Sequence, residues 1–206
     1  MIVKSFYDFQ TNSKLKDYTN KLKAGGWCLG DKAYTQSGSR GSYTHTPLEI
    51  YNRSSSMYYD SYTRLTSENA NGYQPTLKCN GTLLNEYADV TGVSSKNPMY
   101  VSAITADEIV YAGGKYGERN YNYYIVNDYS KSNGSFFWTL SPYSFHTYND
   151  NNSDYDTAFS VYGINGYMSV SVVYNDSHHL RPVISLSSNV NTVEGDGTIS
   201  NPYVVE

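Results

Sequence analysis

Two adjacent histidines, His178 and His179, are the residues of this sequence best suited to do chemistry. They follow the tetrapeptide YNDS and precede LRPVISL, whose apolar half is typical of a buried strand. Imidazole rings beside a carboxylate can bind a metal, transfer a proton or contact a ligand. Because neighbours on an extended chain point to opposite sides, a shared metal would need a third ligand such as His146 or Asp176. The pair therefore indicates ligand contact or an ordinary loop more strongly than a metal centre.

Motifs of known catalytic centres are absent from the sequence. It contains no GxSxG, no HExxH and no phosphate-binding loop. Asp176, Ser177 and His178 are consecutive and cannot reach one another in the geometry of a catalytic triad. The sequence therefore predicts a protein that is not an enzyme. The alternative is a metal-dependent enzyme that uses the three histidines named above with nearby Asp residues.

Four acidic residues in polar stretches are candidates for calcium binding: Asp150, Asp154, Asp156 and Asp176. Carboxylate oxygens are the hard ligands that Ca²⁺ prefers. However, the spaced Asp/Asn/Gly/Glu loop of the calcium-binding hands does not occur. We therefore expect no cofactor, with calcium as the alternative, and the identity of any metal stays unknown.

Two stretches have the composition of a recognition surface: YSFHTYNDNNSDYD, residues 143–156, and YNDSHH, residues 174–179. Tyr supplies a large contact area at low entropic cost, and Asn and Ser supply adaptable hydrogen bonds, as in antibody paratopes. We expect a protein or glycan as the partner. The predicted ligand-binding residues are Tyr143, His146, Tyr148, Asn149, Asn151, Asp154, Tyr155, Tyr174, Asn175, Asp176, His178 and His179.

The charge distribution argues against nucleic acid and anionic membranes as partners. The 206 residues include 15 Lys and Arg against 19 Asp and Glu, and no basic residue lies between Lys131 and Arg181. Binding to phosphate backbones needs clusters of basic side chains. No apolar run reaches the roughly 18 residues of a membrane helix, so direct membrane insertion is not expected.

Cys28 and Cys79 are the two cysteines of the chain. Neither belongs to a CxxC pair, which argues against a thiolate zinc site. An even count in a chain rich in Tyr, Asn, Ser and Gly predicts one disulfide, and two unrelated buried thiols are the alternative. Closing a loop of about 50 residues would contribute roughly 4 kcal/mol of stability. A disulfide would also indicate an oxidising compartment.

The N-terminal third predicts one strand and one helix. Loose alternation and aromatic residues predict a strand over residues 2–9. Helical spacing of Leu15, Tyr18 and Leu22 predicts a helix over residues 13–24, stopped by two glycines. We expect Trp27, directly after them, to anchor in the core.

Residues 31–97 give weak signals, with YTRL at 62–65 and PTLKC at 75–79 as short ordered pieces. MYVSAI at 99–104 predicts a strand, and the capping box from Thr105 to Glu108 begins a helix that runs to Ala112. Six later segments are strand-like and are separated by turn residues. In chain order they are YNYYIV, FFWTLS, AFSVYGI, YMSVSVVY, RPVISL and PYVV.

Two further side chains are expected to be structural. Trp138 lies in the apolar segment FFWTLS and is expected in the core. Arg181 lies beside an apolar strand, where we expect it to bond carbonyls or to pair with a carboxylate such as Asp107 or Glu108.

Several phrases together carry a resemblance to a known family: WC at 27–28, LKC at 77–79, ITADEIVYAGGKYG at 104–117, FWTLSP at 137–142, LRPVISL at 180–186 and GDGTISNPYVV at 195–205. In these the chain resembles a family of bacterial surface proteins with a C-type-lectin-like fold of the formylglycine-generating-enzyme (sulfatase-modifying factor) type. The resemblance implies a single α+β domain over residues 1–206. Its expected parts are two helices, antiparallel β-structure and long irregular loops.

The same resemblance implies a non-enzymatic ligand-binding module, adhesin-like or receptor-like, displayed on a bacterial or phage surface. The variable proteins of diversity-generating retroelements are similar and use this kind of fold for ligand display. Enzymes of the formylglycine-generating group rely on a cysteine pair in the C-terminal half, whereas residues 80–206 here contain no cysteine. Retroelement mutagenesis at Asn codons yields Tyr, Asp, Ser and His, which are the residues of the second stretch. A structural subunit of a pilus or surface layer is a further alternative.

The N-terminus leaves the compartment open. The residues after Met1, IVKSFYDF, lack the long apolar core and the cleavage site of a signal peptide. The protein is therefore either cytosolic or one whose export or anchor segment is absent from this sequence. The resemblance favours an extracellular or cell-surface location.

Overall fold

The computed structural model describes residues 2–28, 33–35, 57–66, 73–79, 83–87, 97–121, 135–146, 155–173, 178–198 and 200–206. Within these ranges the chain is a mixed α+β structure with four helices and antiparallel sheets, including a curled half-barrel. The predicted α+β class is thereby confirmed. The predicted number of helices, two, is too low, because the described ranges contain the helices Ile2–Asn12 and Asp60–Leu65 in addition to the two segments expected to be helical. The described helices include none with the length and apolar character needed to span a bilayer.

The N-terminal segment is a helix, α1, from Ile2 to Asn12, so the strand predicted over residues 2–9 is wrong. Phe6 is fully buried and Gln10 is 7% exposed, and side chains four residues apart share one face of a helix. The strand prediction relied on the β-branched and aromatic content of the segment. The buried residues are spaced as on one face of a helix, and this spacing favours the helix over the strand.

Gln10 docks α1 onto the backbone of the segment that follows residue 96. Its Nε2 donates to the carbonyl of Pro98 at 2.8 Å, and its Oε1 accepts from the N–H of Tyr100 at 2.9 Å. The side-chain amide thus pairs with one acceptor and one donor of the chain, as a neighbouring strand would.

The helix predicted over residues 13–24 forms as a 3-10 helix from Lys14 to Lys21. None of its residues is buried, and Tyr18 is 58% exposed, so the expected apolar face is not present. Leu22, one residue after the helix, is buried and forms an isolated antiparallel β-bridge with Leu186. Gly25 follows with φ of +76°, a conformation that favours glycine.

The described strands are β1 Trp27–Cys28, β2 Ala33–Thr35, β3 Met57–Tyr59, β4 Leu83–Leu84, β5 Glu86–Tyr87, β6 Asn97–Pro98, β7 Val101–Ser102, β8 Phe136–His146, β9 Tyr155–Tyr162, β10 Tyr167–Val172, β11 Val183–Ile184, β12 Thr192–Glu194 and β13 Val204–Val205. The main sheet has the order β10-β9-β8-β3-β2, and its strand pairs are antiparallel. Two-stranded sheets join β1 to β4, β5 to β6, β7 to β11 and β12 to β13.

The strands predicted in FFWTLS, AFSVYGI and YMSVSVVY are confirmed as β8, β9 and β10. RPVISL and PYVV contain the short strands β11 and β13. The strand predicted over residues 99–104 is only two residues long, as β7. YNYYIV lies outside the described residues.

Strand β8 contributes to two clusters of buried side chains. One contains Phe137, Phe159 and Met168, and the other contains Trp27 and Leu140. The predicted core position of Trp27 is confirmed, since it is 9% exposed and its Nε1 donates to a backbone carbonyl at 3.1 Å. The sheet that carries the candidate site is therefore joined to both clusters through β8.

The remaining helices are α2, Asp60–Leu65, and α3, Ala106–Tyr111. The first lies where the sequence predicted a short ordered piece. The second has the predicted capping box, because the Thr105 hydroxyl accepts from the Glu108 N–H and the Glu108 carboxylate accepts from the Thr105 N–H. Gly113 follows α3 with φ of +94°. The predicted beginning and end of α3 are confirmed.

A buried charge network centred on Arg64 joins α2 to α3. Arg64 donates through Nε to Asp60 at 2.7 Å and through its two Nη atoms to Asp107. Asp107 also accepts from the backbone N–H of Thr76 at 2.7 Å. The network therefore also holds the segment that leads to Cys79.

This network changes the expectation for Arg181. The cation that pairs with Asp107 is Arg64, and Glu108 closes the capping box of α3. The guanidinium carbon of Arg181 lies 4.5 Å from the ring centroid of Phe137, a cation–π distance. A structural role for Arg181 fits this contact with a core side chain.

The predicted disulfide is present in the structure. Cys28 at the end of β1 is bonded to Cys79, and the two α-carbons are 5.5 Å apart. The bond connects β1 to the segment held by the Arg64 network.

Candidate functional site

The register of the main sheet brings the end of β8, the start of β9 and the end of β10 to one end of it. His146 at the end of β8 pairs with Tyr155 at the start of β9, and Thr157 pairs with Val172 at the end of β10. Neighbouring strands lie about 4.8 Å apart, so the ends of β8 and β10 are separated by roughly 10 Å. His178 and His179 of the second stretch lie instead beside residues 136–138, where β8 begins. The structure therefore does not bring these two histidines together with His146 and Tyr155.

Most of the predicted ligand-binding residues lie outside the described residues, and their predictions stay open. For His146 and Tyr155 the described feature is the backbone pairing given above. The undescribed members are Tyr148, Asn149, Asn151, Asp154, Tyr174, Asn175 and Asp176.

The second stretch follows β10, and its described end lies beside β8. The chain leaves β10 after Val172, and the His179 N–H donates to the Phe136 carbonyl at 2.8 Å. The His179 carbonyl accepts from the Trp138 N–H at 3.1 Å. Backbone groups of alternate residues in a strand point to opposite edges, so His179 pairs with the edge of β8 that faces away from β9. The described end of the stretch is therefore fixed to the sheet.

His178 lies flat against two aromatic rings of β8. Its ring centroid is 4.4 Å from that of Trp138 and 5.2 Å from that of Phe136, and both pairs are stacked. Its Nε2 is 2.7 Å from the Ser171 hydroxyl on β10. Trp138 is 5% exposed beneath this ring, which confirms its predicted core position. The imidazole of His178 therefore connects β8 to β10, the two strands on either side of β9.

The side chains around His178 form a mixed surface of rings and hydroxyls. Phe136 and Tyr162 stack at 4.7 Å, and the Ser160 and Ser171 hydroxyls are 3.0 Å apart. Because side chains alternate along a strand, these residues point away from the cluster that contains Phe137. We define the His178 face by the residues Phe136, Trp138, Ser160, Tyr162, Ser171 and His178.

Sequence reasoning identified His178 and Trp138 but missed the rest of this face. The sequence did contain one signal for the serines of this face. It is the alternation SVS in β10, which places Ser169 and Ser171 on the side opposite Val170. The contact between Ser160 and Ser171 depends on the register of β9 with β10. That register cannot be read from either segment alone.

The two histidines have different surroundings, as their opposite orientation on an extended chain predicts. His178 is half-buried, and His179 is exposed. Burial lowers the pKa of His178 below its ordinary value of 6.5, and the nearby His179 lowers this pKa further. His178 is therefore neutral near pH 7, with one ring nitrogen that acts as a hydrogen-bond acceptor and one that carries a proton.

Tyr143, predicted to bind a ligand, is half-buried in a cluster of aromatic rings. It meets Tyr62 and Phe159 edge to face at 5.0 and 5.2 Å and stacks on Tyr116 at 6.0 Å. These distances are typical of stabilising aromatic pairs. The described contacts of Tyr143 are thus packing contacts against the core.

In the described part of the chain, no group of three or more His, Cys, Asp or Glu side chains is arranged to hold a metal ion. Of the calcium candidates, Asp150, Asp154 and Asp176 lie outside the described residues. For Asp156 the described feature is its place in β9, opposite Phe145. Calcium binding at these residues stays a prediction.

No protein-family model, curated protein or solved structure matches the chain. A function must therefore be argued from the contacts of the site itself, together with the resemblance carried by the sequence.

Acidification is expected to destabilise the protein through His178. The folded-state pKa of His178 lies below 6.5, and the unfolded chain has the ordinary value, so the unfolded state binds the proton more readily. The resulting loss of folding stability is absent well above pH 6.5 and grows as the pH falls from about 6.5 towards the folded-state pKa of His178. We expect the free energy of unfolding, measured in urea between pH 7.5 and 5, to fall less in His178→Phe than in the native protein.

The control for this prediction is His179→Phe, which changes the exposed neighbour and leaves the stacked ring in place. It should retain most of the native pH dependence. Identical pH profiles for His178→Phe and the native protein would show that the docked imidazole does not titrate in this range.

Proposed function

We propose that this chain is a non-enzymatic ligand-binding module, adhesin-like or receptor-like, displayed on a bacterial or phage surface. The observation that supports the proposal most directly is that one sheet carries both ends of the first stretch, at His146 and Tyr155, and the described end of the second, at His178. Binding residues are commonly carried on loops whose ends are fixed by a rigid scaffold. The sheet is such a scaffold, because β8, β9 and β10 contribute Phe137, Phe159 and Met168 to one buried cluster.

The chemistry of the two stretches and of the adjoining His178 face suits a neutral or polar ligand. The half-buried rings of Phe136 and Tyr162 supply contact area, and the half-buried Ser171 hydroxyl and the neutral imidazole supply hydrogen-bonding groups. Ser160 and Trp138 are buried and serve as their support. The residues from 132 to 180 contain no Lys or Arg, which disfavours polyanions. A protein or glycan ligand fits this combination.

The fold proposed for the module is the C-type-lectin-like fold of the formylglycine-generating-enzyme type. The α+β class, the antiparallel sheets and the capped helix α3 agree with it. The second stretch follows a strand of this sheet and is hydrogen-bonded to β8 at its described end, a position suited to varying side chains without loss of the scaffold. We therefore include diversification by a retroelement in the proposal. If a retroelement diversifies this stretch, the flanking DNA should contain a template repeat and a reverse-transcriptase gene. The absence of both would contradict the proposed diversification.

The test of the binding site begins with protein and glycan arrays that identify a ligand. The combined variant Tyr148→Ala, Tyr174→Ala and His178→Ala should then bind that ligand at least about 30-fold more weakly, as expected when hot-spot side chains are removed. Affinity is measured by calorimetry. The near-ultraviolet circular dichroism spectrum must match that of the native protein.

The matched control replaces two tyrosines outside the site, Tyr18 and Tyr121, each 58% exposed, with alanine. This variant should keep native affinity. Unchanged affinity in the folded site variant would rule out the proposed site. Stoichiometric zinc, iron or copper in protein purified without added metal would instead favour the metal-dependent enzyme.

A further inference from the structure

A cleft of about 320 Å³ lies beside the disulfide and shares no lining residue with the His178 face. Both Cys28 and Cys79 line it, and both are half-buried rather than enclosed. Trp27 and Leu140 contribute apolar surface, and Lys78 contributes an exposed ammonium group. A disulfide that forms part of a cleft wall can be reached by a small molecule without unfolding of the chain.

One wall of the cleft is held in place without help from the disulfide. The segment before Cys79 is tied to α2 by the Gln74 N–H, which donates to the Arg64 carbonyl at 2.8 Å. It is tied to α3 by the Thr76 N–H, which donates to the Asp107 carboxylate at 2.7 Å. The Asp107 carboxylate that accepts the second bond is buried, and neither bond involves a cysteine.

The opposite wall is also anchored independently. Trp27 is buried, pairs with Leu84 across β1 and β4, and donates through Nε1 to the Met99 carbonyl. The N–H of Gly25 donates to the same carbonyl at 2.8 Å. With both walls fixed, cleavage of the disulfide separates two sulfur atoms without removing the contacts that place them.

We propose that the cleft is a site of thiol–disulfide exchange, at which a small thiol opens the Cys28–Cys79 bond while the protein stays folded. Neither half-cystine contributes to the ligand-binding site proposed above, so the two proposals can fail separately. The volume of the cleft lies at the lower end of the range for small-molecule sites, which limits the attacking thiol to a small molecule.

The exchange proceeds in two balanced steps. The thiolate of the small molecule attacks the sulfur of Cys28 and forms a new S–S bond, and the original bond breaks with its electron pair on Cys79. The Cys79 thiolate then takes a proton from water. A second small thiol attacks the mixed disulfide, leaves as the oxidised small disulfide and gives a second thiol on the protein.

Lys78 determines the expected direction of attack. It is the sequence neighbour of Cys79 and lines the same cleft, so its positive charge stabilises a thiolate on Cys79. The sulfur with the more stable thiolate is the better leaving group. Cys28 is therefore the sulfur that forms the mixed disulfide.

The test exposes the whole protein to 2-mercaptoethanol at neutral pH without denaturant. Intact-mass measurement should show an adduct of one mercaptoethanol, and peptide mapping should place it on Cys28. The near-ultraviolet circular dichroism spectrum should persist during the reaction. Formation of the adduct only at urea concentrations that abolish this spectrum would overturn the proposal.

A charge variant separates attack in the cleft from nonspecific reduction. Lys78→Gln should slow adduct formation about threefold, the effect expected of one charge several ångströms away in water. Lys14→Gln removes an exposed ammonium that does not line the cleft and should leave the rate unchanged. Equal rates in the two variants would contradict the assigned role of Lys78. The double variant Cys28→Ser, Cys79→Ser should remain folded with a lower Tm, and loss of its folded spectrum would overturn the proposal.

Discussion

Replacing Arg64 with methionine is expected to lower the free energy of unfolding by about 3–5 kcal/mol. Methionine retains much of the apolar volume of the side chain and removes the guanidinium. Asp60 and Asp107 would then lose their cation at sites where their side chains are only 9% and 11% exposed. Burial of carboxylates without a partner is strongly unfavourable. Urea denaturation at pH 7 measures the loss.

The control for Arg64 is the exposed ion pair of α1. Lys4 lies 2.6 Å from Asp8, but their side chains are 61% and 48% exposed. Lys4→Met should therefore change the free energy of unfolding by less than about 1 kcal/mol. Adding Asp107→Asn to Arg64→Met should recover part of the loss, because one unpaired charge is removed. A change in Arg64→Met no larger than that in Lys4→Met would contradict the role assigned to the network.

Replacing Trp138 with alanine is expected to have a comparable effect, about 3–5 kcal/mol. The indole is 5% exposed and forms the platform under His178. Its removal leaves a cavity and exposes one face of the imidazole to water. The pKa of His178 should therefore rise towards its ordinary value, since burial is the main cause of its depression. Denaturant titration measures the stability, and an NMR pH titration of the imidazole measures the pKa.

Trp138→Phe is the matched comparison, because it keeps an aromatic platform and should lose less stability than the alanine variant. Tyr111→Ala, at a side chain that is 68% exposed, should have little effect on stability. A His178 pKa that is the same in Trp138→Ala and in the native protein would show that the stacked ring does not control the environment of the imidazole.

Sequence reasoning predicted the C-terminal half of the fold better than the N-terminal half. The strands of the main sheet have strong apolar alternation, and the capping box of α3 depends on residues three apart. Both signals are local, so the sequence displays them directly. In α1 the residue types favour a strand and the spacing of Phe6 and Gln10 favours a helix, and tertiary burial decided between them.

The Arg64 network lay beyond sequence reasoning for a physical reason. Arg64 and Asp107 are 43 residues apart, and no periodicity relates positions at that separation. The spacing of Asp60 and Arg64 by four residues was a visible local signal of half the network. The sequence therefore contained a hint of the α2 ion pair and no hint of its partner on α3.

For the candidate site, sequence reasoning identified the second stretch but not the surface on which it lies. The opposite environments of His178 and His179 follow from strand geometry, which is local. The stacking of His178 on Trp138 and its bond to Ser171 depend on where the chain after β10 meets β8 again. That position is set by the packed sheet and has no short-range signature.

The amide of Gln10 has a consequence for how the protein behaves at high concentration. Backbone groups left unpaired beside a short strand invite strand addition by a second molecule, which is a common start of aggregation. By occupying the Pro98 carbonyl and the Tyr100 N–H, Gln10 removes two such groups from the surface. Through this side chain, α1 should protect the protein from self-association. In other proteins, charged residues or proline on an edge strand often have this protective role.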